Sequence, residues 1–391
     1  MKALVVESPG RLGLTERPMP RVQGSRDAVI RIIASSLCEA DLQSFRRGES
    51  PLPVGRVIGH EGVGIVDEVG SLVTRFRPGD RVLASSVTSC GECDPCRWGK
   101  YSACENGGRQ IGIEIDGCQA EFVRIPYADR ALHLVPPELS DDAALMLCEL
   151  TPTAYEAGII TGNLQHGDSL AILGAGAVAQ ATVLVTRLCS PAYFVLAGRS
   201  STGLSTARSL GASLTLDSRK RDVASQLLKL SGEAGYKVVI DTECSPESVA
   251  LTHRIVAEHG TVAAVQLHAE GIACSVLGDR DRKRTVDYRC GVTNGGTIAA
   301  LIQAAQTKRI EPELLVTHRY SFDRLDEAFR SVLADSPSKP IKVSISPRST
   351  GYQGFGATLK AFPARSTGDE HRFYKGQIRS FQPMAAELLR G

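Results

Sequence analysis

Short β-branched runs dominate residues 1–150. Val29-Ile30-Arg31-Ile32-Ile33, Gly64-Ile65-Val66-Asp67 and Arg81-Val82-Leu83 are the clearest, and Ala3-Leu4-Val5-Val6 opens the chain in the same way. Gly and Pro punctuate these runs, so the pattern predicts an all-β lobe closed as a small barrel. The pattern changes near Asp168. Ser169-Leu170-Ala171-Ile172-Leu173 is a continuous apolar run of the kind that a parallel strand buried on both faces requires. A Gly-rich turn follows, then an apolar helical stretch from Val178 to Leu188 and a strand from Tyr193 to Ala197. Next come a helix ending in Leu210-Gly211-Ala212 and a strand Val238-Val239-Ile240-Asp241. Strands alternating with helices predict a doubly wound parallel sheet. After Cys290 the pattern gives a helix from Thr297 to Thr307 and strand-like pieces at Leu314 to His318 and Ile341 to Ser346. Residues 348–391 have no period and are expected to be a disordered extension.

Length and composition narrow the function classes. A chain of 391 residues is long for one small domain and comfortable for two. Hydrophobic residues at 42% and charged residues at 23% fit a folded core. A net charge of +2 argues against nucleic acid as the partner. Met1 to Pro9 lacks the basic start and long apolar run of a secretory signal, and no stretch is long enough to span a bilayer, so a soluble cytoplasmic protein is expected. Eleven cysteines, in a chain without such a signal, suggest metal ligands plus reduced thiols.

Four of those cysteines carry the strongest local signal. Cys90, Cys93 and Cys96 are spaced by three, and Cys104 follows eight residues later. Such a run can wrap a tetrahedral zinc in a closed structural site without long excursions of chain. Gly91 and Pro95 suit the tight knuckle. Free thiols on a loop and an iron–sulfur cluster are the rival readings. Trp98 and Tyr101 lie within this lobe and are expected to pack it.

The turn Gly174-Ala175-Gly176-Ala177-Val178-Ala179 leaves a strand and opens a helix. Glycines there let the backbone approach a pyrophosphate, and the helix N-terminus offers free N–H donors. NAD enzymes place a carboxylate at the end of the next strand. Here that position is Gly198, followed by Arg199 and Ser200. A guanidinium and a hydroxyl suit a 2′-phosphate, so NADP(H) is expected over NAD(H). The alternative is that Arg199 is a solvated surface charge. Lys339 and Lys342, as lone lysines, read as surface residues, although related folds can direct such lysines to cofactor phosphates.

Cys38, His60, Glu61 and Glu149 are each weak signals alone, since a lone Cys is more often a small buried hydrophobe. As a set they change meaning. Cys-x-x-Asp (Cys38, Asp41), Gly-His-Glu-x-x-Gly (Gly59 to Gly64), the four-cysteine lobe and Gly-x-Gly-x-x-Ala occur in one order. In this the chain resembles the zinc-dependent medium-chain dehydrogenase/reductase (alcohol dehydrogenase) family over roughly residues 1–346. From Cys290 to Lys339-Pro340 it looks most like the NADP-linked secondary-alcohol branch.

The resemblance implies a GroES-like β-barrel catalytic domain and a Rossmann cofactor domain. It implies a catalytic zinc on Cys38 and His60, completed by Glu61 or Glu149, with one position open. Asp41 would hold the His60 ring by its other nitrogen. With the structural zinc on Cys90, Cys93, Cys96 and Cys104, two zinc ions per chain are expected. The cofactor contacts would be Gly174, Gly176, Ala177, Val178, Gly198, Arg199 and Ser200. The implied division is a barrel domain over 1–154 with its zinc lobe at 89–105, and a cofactor domain over 155–290. Residues 291–347 would return to the barrel. A small-molecule substrate and a homodimer or homotetramer complete the picture.

One departure from the family concerns the proton. Alcohol dehydrogenases of the family usually place Ser or Thr two residues after the ligand Cys, and often His three further on. This chain has Ala40 and Gln43. Either the proton leaves through water, Glu39 or the substrate, or the reaction needs no alkoxide, as in reduction of an iminium or conjugated alkene. A binding protein without turnover on the same scaffold is the reading from another class.

Overall fold

The computed structural model describes residues 1–38, 41, 52–108, 110–265, 287–291, 295–334, 339–347 and 358–360. Strands β1 (Lys2–Ser8) and β2 (Arg11–Glu16) pair antiparallel as a hairpin. The barrel sheet is centred on β3 (Ala28–Ser36), whose β-branched run is buried along most of its length. It pairs antiparallel with β4 (Gly62–Val69), which pairs with β5 (Arg81–Ala84). Strand β6 (Phe122–Ile125) lies against β3, and β7 (Leu132–Leu134) against β5. The expected short strands are therefore present, joined as one curved antiparallel system.

The second lobe is the expected parallel sheet. Its strands are β8 (Ser169–Leu173), β9 (Tyr193–Gly198), β10 (Leu214–Asp217), β11 (Tyr236–Asp241), β12 (Val256–Val265) and β13 (Asp287–Gly291). The spatial order is β10-β9-β8-β11-β12-β13, all parallel. Counted from β8 this is 3-2-1-4-5-6, the doubly wound order, whose ligand crevice lies where the order reverses, at the carboxyl ends of β8 and β11.

Local chemistry sets the helix ends. The helix Ala177–Val185 runs on as a 3-10 turn, Thr186–Leu188, so the expected helical stretch is two elements. The helix Ser201–Ser209 starts at Ser200, whose hydroxyl accepts the Gly203 N–H at 3.1 Å and so satisfies one of the free N-terminal donors. The helix Ile298–Gln306 buries Ile298, Leu301 and Ile302 in the core that also holds Leu170, Ile172, Val183 and Leu184. The same core takes in Ala34, Val63 and Leu83 of the barrel, so apolar packing is continuous from one lobe to the other.

The chain then rejoins the barrel. A 3-10 turn at Pro312–Leu315 precedes β14 (Val316–Ser321), which displaces the expected strand by two residues. Strand β15 (Lys342–Ser346) pairs parallel with β14 and antiparallel with β3. Thr358–Lys360 forms β16 and adds antiparallel to the free edge of β2, where backbone groups were open for pairing. The other residues of 348–391 lie outside the described residues. No helix among the described residues is long and apolar enough to cross a membrane.

Candidate metal and cofactor cleft

Cys38 follows the end of β3, and His60 precedes β4. Glu149 occupies the position before the helix Leu150–Thr153, and its side chain makes no capping hydrogen bond there. The antiparallel pairing of β3 with β4 brings the first two together, and the chain crossing toward the second lobe supplies the third. Gly59 makes the approach possible. Its φ is +92°, and a Cβ there would lie 2.5 Å from the Gln119 side chain.

The donor atoms of Cys38, His60 and Glu149 all lie within 4.8 Å of one another, and all three residues are buried. His60 Nε2 is 2.5 Å from Glu149 Oε2. A thiol, an imidazole and a carboxylate aimed at one point suit zinc, with a further position left for substrate. The electrostatics agree. Burial works against a proton on His60, but Glu149 and Cys38 outweigh it and hold the imidazole well above its usual range. The negative charge that favours a proton on His60 would equally favour a bound cation. Asp41 stands 3.9 Å from His60 Nδ1, beyond hydrogen-bond length, and accepts the Cys38 N–H at 3.0 Å. Acidification is thus expected to expel the metal, because protons compete for His60 from above the ordinary imidazole range. Zinc content at fixed chelator should fall as the pH is lowered, and the fall should begin above the range of an ordinary imidazole. A flat profile would count against this ligand set.

Glu61 is not part of this group. Its carboxylate is buried and pairs with the Lys342 ammonium, which also donates to the Leu37 carbonyl at 3.3 Å. Lys342 therefore corrects the surface reading. It lies in β15 with only 6% of its surface exposed, among Leu37, Glu61 and the metal group. Burial opposes its charge, and Glu61 and Cys38 more than compensate. Lys339 is exposed and lines the cleft.

The four-cysteine lobe is a second closed group. All four sulfurs lie within 4.8 Å, with Cys90 to Cys96 at 4.0 Å and Cys93 to Cys104 at 3.8 Å. A tetrahedron of thiolates at ordinary zinc distance has edges of about 3.8 Å. Burial raises the Cys90 thiol, but N–H donors from Glu92 and Cys93 overcome it and bring it down to about 6. Burial pushes Cys96 up to about 12 and raises Cys104 as well, so Cys90 is the thiol that the protein's own N–H donors favour as a thiolate. Tyr101 packs on the cluster, with the Arg130 guanidinium over its ring at 4.9 Å. Trp98 does not pack it: the side chain is 69% exposed, because the C-cap position it holds after the helix Asp94–Arg97 turns it outward.

A cavity of about 480 Å³ joins the metal group to the cofactor turn. Its walls include Cys38, Glu61 and Glu149 on one side, and Ala175, Gly176, Ala177, Val178, Arg199 and Ser200 on the other. Gly176 leaves the space in front of the helix Ala177–Val185 open. A Cβ at Gly198 would lie 2.5 Å from the Ala175 Cβ, so the end of β9 carries no side chain because the turn presses against it.

Several residues here escaped the sequence reading. Gln180, the polar interruption in an apolar helix, donates to the Ala175 and Gly203 carbonyls at 3.1 and 2.9 Å and fixes the turn. Thr153 lines the cavity with a buried hydroxyl that has no partner among the described residues. Cys118, Cys148 and Cys244 are buried thiols, whereas Cys189 is only partly buried. Glu39, Ala40, Gln43, Cys274 and the side chain of Cys290 lie outside the described residues.

Comparison with known proteins agrees with this geometry. The alcohol dehydrogenase GroES-like domain family matches residues 24–137, and the zinc-binding dehydrogenase family matches residues 177–304. The zinc-dependent alcohol dehydrogenase 2 of Streptococcus pneumonia superposes with a TM-score of 0.80 at 32% identity, covering 90% of this chain and 100% of that one. A zinc-binding dehydrogenase of Sinorhizobium meliloti 1021, solved bound to NADP, superposes at 0.76 with 26% identity over 88% of this chain and 99% of that one. The NADP-dependent isopropanol dehydrogenase of Thermoanaerobacter brockii is 28% identical over 88% of this chain and 98% of its own length. The chain belongs to the zinc-dependent medium-chain dehydrogenase/reductase family, and is an oxidoreductase that acts on alcohols.

Proposed function

We propose that the protein transfers hydride between NADP(H), preferred over NAD(H), and an alcohol or carbonyl in the cleft between the lobes. Cys38, His60 and Glu149 would hold the catalytic zinc, and Cys90, Cys93, Cys96 and Cys104 a structural one. The observation that carries this reading is the cavity that touches both the metal group and the cofactor turn. When bound, zinc supplies Lewis acidity at the substrate oxygen and the nicotinamide supplies or accepts the hydride. The chain's own residues do the rest. Leu37, Leu150 and Val332 give the cleft an apolar wall for the substrate carbon. The Thr153 hydroxyl is placed to orient a polar group of substrate or cofactor. Glu61 and Lys342 neutralise one another behind the metal group, so neither charge faces the reacting centre unbalanced.

The same reading divides the chain into a barrel domain over 1–154, a cofactor domain over 155–290 and a return over 291–347. It places the protein in the cytoplasm as a homodimer or homotetramer. Arg199 would read the 2′-phosphate, with its guanidinium on the cleft wall and no carboxylate at Gly198. Replacing Arg199 with alanine is expected to weaken NADPH by about tenfold to a hundredfold, the worth of a charge-assisted hydrogen bond, and to leave NADH nearly unchanged. Steady-state kinetics with each cofactor check this, and equal losses for both would remove the phosphate role.

A further inference from the structure

Two carboxylates at the cofactor end of the cleft have no part in the reading above. Glu243 leaves the end of β11 and lines the cavity together with Arg199. Its Cγ overlies the pyrophosphate turn: a Cβ built on Gly174 would come within 3.2 Å of it. The backbone that carries it is pinned. Asp241 is buried at the end of β11 and accepts the N–H groups of Glu243 and Cys244, both at 3.0 Å, and the Ser248 hydroxyl at 2.7 Å. Cys244 takes a left-handed φ of +49° in consequence, a conformation that a non-glycine residue holds only when its surroundings dictate it. Glu247 enters from the first turn of the helix Pro246–Ile255, with its carboxylate 3.7 Å from the Arg199 guanidinium.

Arg199 therefore works between two acids. A 2′-phosphate that engages the guanidinium would share it with Glu247 and come near Glu243, whose carboxylate also feels the Arg199 charge, and like charges so placed repel. An unphosphorylated ribose meets no such repulsion, and its hydroxyls are donors that a carboxylate accepts. We propose that Glu243 and Glu247 are specificity-determining residues that counterbalance Arg199, so that the preference for NADPH over NADH is smaller than Arg199 alone would give. The inference rests on the reading of Arg199 as the 2′-phosphate contact. The Arg199–Glu247 pair is largely solvent-exposed, at 56% and 73%, so each acid contributes modestly. Its removal should shift the preference by about threefold, and removal of both by about tenfold.

The test uses the zinc-loaded full chain and cofactor fluorescence, which needs no knowledge of the substrate. Dissociation constants for NADPH and NADH are measured for Glu243→Gln, Glu247→Gln and the double variant, each with Arg199 and with Arg199→Ala. The expected result is that the Gln variants raise the NADPH preference when Arg199 is present and lose that effect when it is absent. If Arg199→Ala lowers the preference but the Gln variants do not change it, the counterbalance is overturned while the phosphate reading stands. If Arg199→Ala leaves the preference unchanged, the phosphate reading and this inference fall together.

Discussion

Replacing His60 with alanine is expected to lower turnover by at least about a thousandfold, equivalent to about 4 kcal/mol of barrier. The side chain sits 2.5 Å from Glu149 in a buried group whose only other donor among the described residues is Cys38. Two acidic groups without the imidazole cannot present three converging ligands, so the metal should be lost rather than held more loosely. Metal analysis should then fall from about two zinc ions per chain to about one, because the four-cysteine group lies on a separate lobe. The thermal midpoint should fall as well, since the buried Glu149 carboxylate loses both its imidazole partner and the metal. The pairing of lost activity with one retained zinc is the informative outcome. Full activity at one zinc per chain would show that the catalytic group lies elsewhere, and loss of both ions would show that the two groups are coupled through the fold.

Much of this arrangement was legible in the sequence because the relevant signals are local. The four cysteines lie within fifteen positions, and the cofactor turn is a strand, a turn and a helix in immediate succession. Apolar runs also gave the parallel sheet, since a strand covered on both faces must be hydrophobic throughout. The choice between Glu61 and Glu149 was not legible. Glu61 pairs instead with Lys342, which lies 281 positions away along the chain and reaches it because β15 pairs back onto β3. Nothing in the spacing of residues 60 and 61 announces a cation arriving from the far end of the fold. Lys342 looked like a surface lysine for the same reason: a lone charge beside Ile341 and Val343 is ordinary on an edge strand, but β15 has neighbours on both sides. Trp98 failed in the opposite direction. Its place among the ligands suggested packing, but at the C-cap of the helix Asp94–Arg97 the side chain turns to solvent and leaves the packing of the cluster to Tyr101.

The buried Glu61–Lys342 pair carries the other large effect. A charge pair shielded from water contributes little net stability over an apolar pair of the same shape, because desolvating both ions offsets most of their attraction. Removing one partner is a different matter. With methionine at position 342, Glu61 would keep its carboxylate in a nearly inaccessible site beside Glu149, with no cation among its neighbours in the described residues except the metal group itself. Burial already pushes this carboxyl up, and Lys342 is the first influence that opposes the rise. Its loss should drive Glu61 to take a proton or to force water into the packing around Leu37. Lys342→Met is therefore expected to destabilise the fold by about 3–5 kcal/mol, read from urea unfolding of the zinc-loaded protein. Adding Glu61→Met should recover most of that loss, because an apolar pair needs no partner. If the double variant is as unstable as the single one, the cost comes from altered packing of β15 and not from the stranded charge. A single variant within about 1 kcal/mol of the parent would mean that water already reaches Glu61, contrary to its burial here.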